Sequence, residues 1–419
     1  MATMSKAGMS CSLEDARRLQ VTKQHLAGKL PAKATSEHML AVVRDTCFIQ
    51  WDPIAAVAPS HVIAFWSRVG KFQLSDLDRL LWDERKLFLH WNPMASILLT
   101  EDYPLYSSLM RRYREPFTKT TSKHLLGSRK FLTEHKELRS RLLNQLKAGP
   151  LRLNQFKEYA PTGRAADGWS SGSKVSKMLF LLLQSGEVMV VGHDGNQNVW
   201  GLTSNFLPKS VDKRELSEEE FELEAAQRAL RSLGIAIPRE IYLYFPRDRY
   251  LNLDKTLKKL EEDSIIHRVK IEGLPDKKER LIHEKDIPLL ESMGTSAWHS
   301  RMTLLAPFDN LLADRARTSK LFSFDYVHEN FLPESKRKFG TFVHPILWGD
   351  EIIGRVDLLK DKTSGKLMVN SVHAEPGVPV TKEIGTSIAE TMEEFGEFLG
   401  TKEVQYTSRV PTAWKSSLR

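Results

Sequence analysis

Cysteine is almost absent: Cys11 and Cys47 are the two in 419 residues. Two thiols build neither a disulfide framework nor a zinc cluster, and this usage fits a reducing cytoplasm. No stretch approaches the apolar length that spans a bilayer, so no membrane partner is expected. The opening residues "MATMSKAGMSCS" carry no apolar segment of the kind a secretory signal needs. Nucleophile motifs, glycine-rich phosphate loops and metal-ligand sets are also missing. His299 and His373 have no companions at metal-ligand spacing and read as surface or core histidines.

What is present fits a folded, water-soluble protein: 41% hydrophobic and 27% charged residues, enough for two or three domains with proper cores. The net charge is +8 and the pI about 9.2. A basic excess of this size points to a polyanionic partner, most commonly nucleic acid, the plainer reading being a basic enzyme of unrelated chemistry.

Periodicity predicts a helix after Ser12, which can cap "LEDARRLQVTKQHL", a second over Ser36–Arg44, and an apolar run to Val69 stopped by Gly70. Trp82, Phe88 and Trp91 are core candidates. Lys119–Lys157 is basic with a helical leucine stripe, and residues 161–173 form a Gly/Ser/Ala-rich loop. A helix from Lys174 to Gly186 leads into two strands, "EVMVVG" and Gln197–Leu202, turned at Asp194-Gly195. Helices and a strand pair recur from Ser217 to "ERLIHE", with Ser217 and Glu220 spaced as a capping box. A β-meander follows, and a terminal helix runs over Thr381–Leu399. The expected class is α+β: tandem winged helix-turn-helix units with a C-terminal β-meander and terminal helix. The expected divisions are 1–118, 119–205, 206–295 and 296–419.

One stretch poses a chemical question. "CFIQWDPI", Cys47–Ile54, sets an amide and a carboxylate two residues apart in apolar sequence. On extended backbone, positions i and i+2 share a face, so Gln50 and Asp52 can converge while Ile49 and Trp51 anchor the other side. The competing reading makes Asp52 the N-cap and Pro53 the first residue of a helix.

Three stretches resemble, in order, the signatures of the winged-helix DNA glycosylases of the YcaQ/AlkZ family, which repair crosslinks and alkylpurines. They are "IQWDPIAAVAPSHVIAFWSRVG", "GWSSGSKVSKMLFLLLQSGEVMVVG" and "LLAPFDNLLADRARTSKLFSFDYVHENFLPESKRKFG", the last followed by "PILWGDEIIGRVDLLKDK". Together they cover most of residues 12–375. The resemblance implies tandem winged helices around double-stranded DNA with alkylated bases. It also implies monofunctional excision of N7- or N3-alkylated purines with neither metal nor organic cofactor, by a cytoplasmic, nucleoid-associated monomer.

The family's catalytic motif is Gln, an apolar residue, then Asp or Gln; it stands here as Gln50-Trp51-Asp52. Alkylation makes the purine a cationic leaving group, so a carboxylate beside an oxocarbenium-like sugar suffices as electrostatic stabiliser and general base. Asp52 takes that role and Gln50 positions the water. The motif holds no lysine for Schiff-base chemistry. Arg68, Lys174, Lys177, Arg315, Arg317, Arg355, Lys360 and Lys362 are the candidate phosphate contacts. Lys174 and Lys177 share one helix face, with Lys174 near the helix N-terminus. Asp309 and Asp357 read as structural carboxylates that cap a turn or pair with Arg315 or Arg355.

One segment departs from the family pattern. Crosslink-unhooking members have Phe-Glu-x-Trp-Ala-His where this chain has Phe88-Leu89-His90-Trp91-Asn92-Pro93. Three readings stay open: a substrate narrowed to monoadducts, low activity, or a non-catalytic winged-helix DNA-binding protein, such as a transcription regulator, that kept the scaffold.

Overall fold

The computed structural model describes residues 8–53, 56–91, 94–114, 123–158, 173–247, 249–276, 278–295, 298–407, 409–411, 414 and 418. They belong to two compact units, Met1–Gln73 together with Ala226–Arg419, and Leu74–Ala225. Most of the expected loop 161–173 lies outside the described residues, as do Ile54, Ala55, Asn92 and Pro93.

In the first unit, local chemistry starts and stops the helices where the sequence predicts. Ser12 caps Leu13–Lys23 by accepting the Asp15 N–H. Ser36–Thr46 begins with a reciprocal pair at Thr35: its hydroxyl accepts the His38 N–H, and its own N–H donates to His38 Nδ1 at 3.1 Å. Histidine thus does the work usually given to Glu or Gln. All ten residues of Ser60–Val69 are buried, and the helix ends at Gly70 with φ of +75°. In the second unit, Ser217 and Glu220 form their capping box at the start of Glu218–Leu233.

Two sheets complete the first unit. One has four strands in the order Met9–Cys11, Ile266–Ile271, Glu279–His283, Ile235–Ala236; its first pair is parallel and the others antiparallel. The strand at Met9–Cys11 gives no sequence signal, being three residues long. The second sheet is the expected meander of Val343–Trp348, Glu351–Asp361 and Lys366–Ala374. It is extended by Met302–Leu304 at one edge and by Val404–Tyr406, parallel, at the other. The terminal helix Lys382–Phe398, capped by Thr381, buries Ile384, Ile388, Met392 and Phe395; the Phe395 ring lies 4.6 Å from that of Trp66.

The second unit carries the helices Tyr103–Arg114, Lys123–Glu134, Lys136–Leu146 and Lys174–Gln184. The predicted hairpin is Val188–Asp194 with Gln197–Leu202, and Leu151–Arg152 adds a third strand. A hairpin of Leu87–Trp91 with Ala95–Leu99 falls where sequence reading found only core residues. Phe88 is buried there, while Trp82 and Trp91 are half-buried. Among the described residues no helix is long and apolar enough to cross a membrane.

Candidate active site

The catalytic candidate segment leaves the helix Ser36–Thr46 at Cys47, which has φ of +68°. A non-glycine residue stays in that region only when its surroundings hold it there. Here the Thr46 carbonyl accepts the Tyr244 hydroxyl at 2.7 Å, and Asn310 Nδ2 donates to the Phe48 carbonyl at 2.8 Å. Ile49–Gln50 is a short strand with Ile49 fully buried and Gln50 half-buried. Trp51 stacks on His61, ring centres 4.1 Å apart and 13° from parallel.

Asp52 caps no helix beginning at Pro53. Trp51–Pro53 is irregular, the helix starts at Ser60 behind Pro59, and the Asp52 main-chain carbonyl accepts the Ser60 N–H at 3.3 Å. The N-cap reading of Asp52-Pro53 is therefore replaced. Asp52 lines a cleft of about 400 Å³, open to solvent, whose walls include Phe308, His328, Phe331, Phe342 and His344. Gln50 is not among the described lining residues, so the cleft takes Asp52 and not Gln50.

Further segments build or brace the walls. The Phe308 N–H donates to Ser60 Oγ at 3.4 Å, and the Lys360 N–H to the Ala56 carbonyl at 3.1 Å. Beneath the cleft, Asp309 caps the turn Asn310–Leu312 through the Leu311 N–H. The same carboxylate takes two bonds from Arg68, at 2.7 and 2.9 Å, with neither side chain exposed. The "PFDN" of the third signature thus braces the first: Asp309 holds Arg68, and Asn310 holds Phe48.

Another wall comes from the segment 326–342, through His328, Asn330, Phe331 and Phe342. The Glu329 carboxylate accepts the N–H groups of Lys338, Phe339 and Gly340 at 3.0, 2.8 and 3.1 Å. Burial alone would raise its pKa, but these main-chain donors outweigh burial and hold it below the usual value. Gly340 has φ of +147°, and a Cβ there would fall on the Asp357 carboxylate. Asp357 in turn accepts the Phe342 N–H at 2.8 Å and Asn370 Nδ2 at 3.2 Å. Gly340→Ala is expected to cost about 1–3 kcal/mol of stability through backbone strain and displacement of this loop, read as a lowered urea midpoint with unchanged slope.

Several expected phosphate contacts need correction. Arg68 is enclosed with Asp309. Arg317 is buried, bound to Glu240 at 2.5 Å and to the Leu233 carbonyl at 2.9 Å. Arg355 is paired with Glu375 at 2.5 Å and sandwiched between the rings of Phe324 and Phe339, at 4.2 and 4.3 Å. These three guanidiniums are framework, because each is enclosed in the protein and paired with a carboxylate there. Lys360 Nζ caps the terminal helix by donating to the Leu399 carbonyl at 2.7 Å. Asp309 and Asp357 are structural as expected, although neither takes Arg315 or Arg355 as its partner.

Of the eight expected phosphate contacts, four stay exposed. Arg315 and Lys362 lie on the first unit, and Lys174 and Lys177 on the second, with Lys177 Nζ 4.2 Å over the Phe131 ring. His299 is exposed and His373 meets Phe339 edge-on at 5.3 Å. Among the described residues no group of three His, Cys, Asp or Glu side chains is placed to hold a metal ion. Sequence reading missed Tyr244, Phe308, Asn310, His328 and Phe331. Only the "PFDN" signature gave any signal for two of these, since an isolated aromatic or histidine has no pattern to show.

The fold is an α+β arrangement shared with the Streptomyces sahachiroi DNA glycosylase AlkZ, with a TM-score of 0.64 at 15% identity over 96% of this chain and 100% of that one. The family profile described as "DNA glycosylase AlkZ-like" matches residues 43–398. The chain belongs to the AlkZ-like DNA glycosylase family, whose activity is the removal of bases from DNA during repair.

Proposed function

We propose that the protein is a monofunctional glycosylase that hydrolyses the N-glycosidic bond of N7- or N3-alkylated purines in duplex DNA and leaves an abasic site. The observation that carries this reading is Asp52, on irregular backbone ahead of the helix that starts at Ser60, lining an aromatic cleft. Water adds at C1′ as the N-glycosidic bond breaks. The bond's electron pair neutralises the departing purine, and Asp52 takes the water's proton. Gln50, two residues away, orients that water or the sugar from beside the cleft.

The helix-and-hairpin units are read as tandem winged helices, with functional divisions at 1–118, 119–205, 206–295 and 296–419. The working form is a monomer acting on cytoplasmic, nucleoid-associated DNA. Monoadducts are the principal substrate and interstrand crosslinks a secondary one. His90 supports that order: it is buried, with Nε2 against the Leu183 carbonyl at 3.1 Å, and so does not replace the histidine of the crosslink-unhooking segment.

The test incubates one duplex carrying N7-methylguanine and another carrying a nitrogen-mustard crosslink with the protein, then cleaves abasic sites with alkali. Breaks in the first duplex support the assignment, and breaks in the second extend it. Tight binding without release from either duplex replaces it with a binding protein. Lys174, Lys177, Arg315 and Lys362 remain as the proposed phosphate contacts. Lys174→Ala or Lys177→Ala is expected to lower the slope of log affinity against log salt by about one unit each, without changing lesion preference. Slopes equal to wild type would remove that lysine from the interface.

A further inference from the structure

The cleft beside Asp52 has a composition that hydrolysis alone does not require. Its rings are contiguous: His328 lies against Phe308 at 4.9 Å, 29° from parallel, and against Phe331 at 5.0 Å. Asp52 is the one carboxylate among the described lining residues, and none of them is Lys or Arg. Both histidines stay uncharged near neutrality. Burial pulls His344 down to about 4, and burial and the nearby Arg315 lower His328. His344 Nδ1 donates to the Leu305 carbonyl at 3.2 Å, a bond that favours the protonated ring but is outweighed by burial. The described lining residues therefore carry one carboxylate and several π faces; Arg315 is close enough to act on His328 but is not itself among them.

Phe331 is the member that faces out. It is 71% exposed, yet its loop is tightly held. Glu329 gathers three N–H groups, the Tyr326 hydroxyl donates to the Val343 carbonyl at 2.9 Å, and Arg337 binds the Leu332 carbonyl and Thr341 Oγ1, both at 3.0 Å. Single exposed apolar side chains are ordinary. An exposed ring on a pinned loop, at the rim of a cleft that also holds the candidate carboxylate, is positioned to meet a ligand.

We propose that this cleft is the recognition subsite for the cationic ring of the alkylated purine, with Phe331 as its exposed stacking face. The inference rests on the glycosylase reading above. A purine alkylated at N7 or N3 carries a positive charge that the unmodified base lacks. Aromatic faces attract that charge, most strongly when it is desolvated, and the Asp52 carboxylate adds to the attraction. When the N-glycosidic bond breaks, its electrons return to the ring and the charge disappears. The subsite then loses its hold on the product, so one feature favours the damaged base and releases the free one.

The test compares binding of two duplexes, one with a 2′-fluoro-stabilised N7-methylguanine, cationic and resistant to hydrolysis, and the other with 2′-fluoro-guanine at the same place. The proteins are wild type, Phe331→Ala, Phe331→Leu and Phe331→Trp. Wild type is expected to prefer the cationic duplex. Alanine and leucine are each expected to cut that preference about tenfold, and tryptophan to keep it. Phe331 is exposed, so these changes leave the core intact, and a matching urea midpoint verifies this. An unchanged preference in Phe331→Ala overturns the proposal. So does an equal loss on both duplexes, which would make Phe331 a wedge between bases, or a full preference in Phe331→Leu, which would make bulk and not the π face responsible. Base release from ordinary N7-methylguanine by wild type separates the two layers. Its absence sinks the glycosylase reading, whereas its presence with an unaltered preference in the variants sinks the subsite alone.

Discussion

Asp52→Asn is expected to reduce release of N7-methylguanine from duplex DNA by about 10²–10³-fold while leaving DNA affinity within a few-fold of wild type. The substitution keeps size and hydrogen-bonding capacity and removes the negative charge. The charge is what the step uses: the sugar becomes cationic as the base departs, and the attacking water gives up a proton. An already cationic leaving group needs little acid assistance, so loss of the carboxylate removes most of what the protein contributes electrostatically. Gln50→Ala is expected to lose less, because Gln50 lies outside the cleft lining and orients rather than neutralises. Single-turnover rates with alkali-revealed breaks make the measurement. A wild-type rate in Asp52→Asn would transfer the chemistry elsewhere in the cleft.

Arg68→Ala is expected to destabilise the protein by about 3–5 kcal/mol, because it leaves the Asp309 carboxylate buried and charged without its partner. Neither side chain is exposed, and two bonds join them at 2.7 and 2.9 Å. The effect should appear as a lower urea midpoint in equilibrium unfolding. Arg68→Met combined with Asp309→Leu should be milder than Arg68→Ala, since no uncompensated charge remains. Had Arg68 been a phosphate contact, the single change would leave the midpoint alone and weaken DNA binding in a salt-dependent way. The two outcomes separate framework from interface at a residue whose type fits both.

That ambiguity marks where sequence reading stops. Helix boundaries came through because they rest on local chemistry: Ser12, Gly70, the Ser217–Glu220 pair and Thr381 act within four residues of themselves. The meander was legible from alternation and from its Gly349 and Gly365 turns, each with φ above +60°. The parallel strand Met9–Cys11 was not, because its partner is residues 266–271 and a three-residue strand has no period to detect. Arginines were the least legible side chains. Arg68, Arg317 and Arg355 occupy motifs of a DNA-repair family, and a basic residue in such a motif invites a phosphate. Their partners Asp309, Glu240 and Glu375 lie 241, 77 and 20 positions away, beyond any local rule. Gln50 and Asp52 are proposed through resemblance; spacing alone favours a helix cap, and the start of the helix at Ser60 speaks against that cap.

The chain leaves its larger unit at Gln73 and returns to it at Ala226, which has a consequence for synthesis. The first 73 residues emerge from the ribosome carrying Cys47–Asp52 but none of its braces. Tyr244, Asn310 and the Glu329 loop are translated long afterwards, and the Met9–Cys11 strand waits for residues 266–271. Contacts between such distant positions raise contact order and slow the search for the native state. Until translation passes about residue 374, where the meander ends, the nascent chain holds a carboxylate without a cleft. Prematurely terminated products are therefore born inactive, and their exposed apolar helix Ser60–Val69 makes them clients for chaperones or proteases.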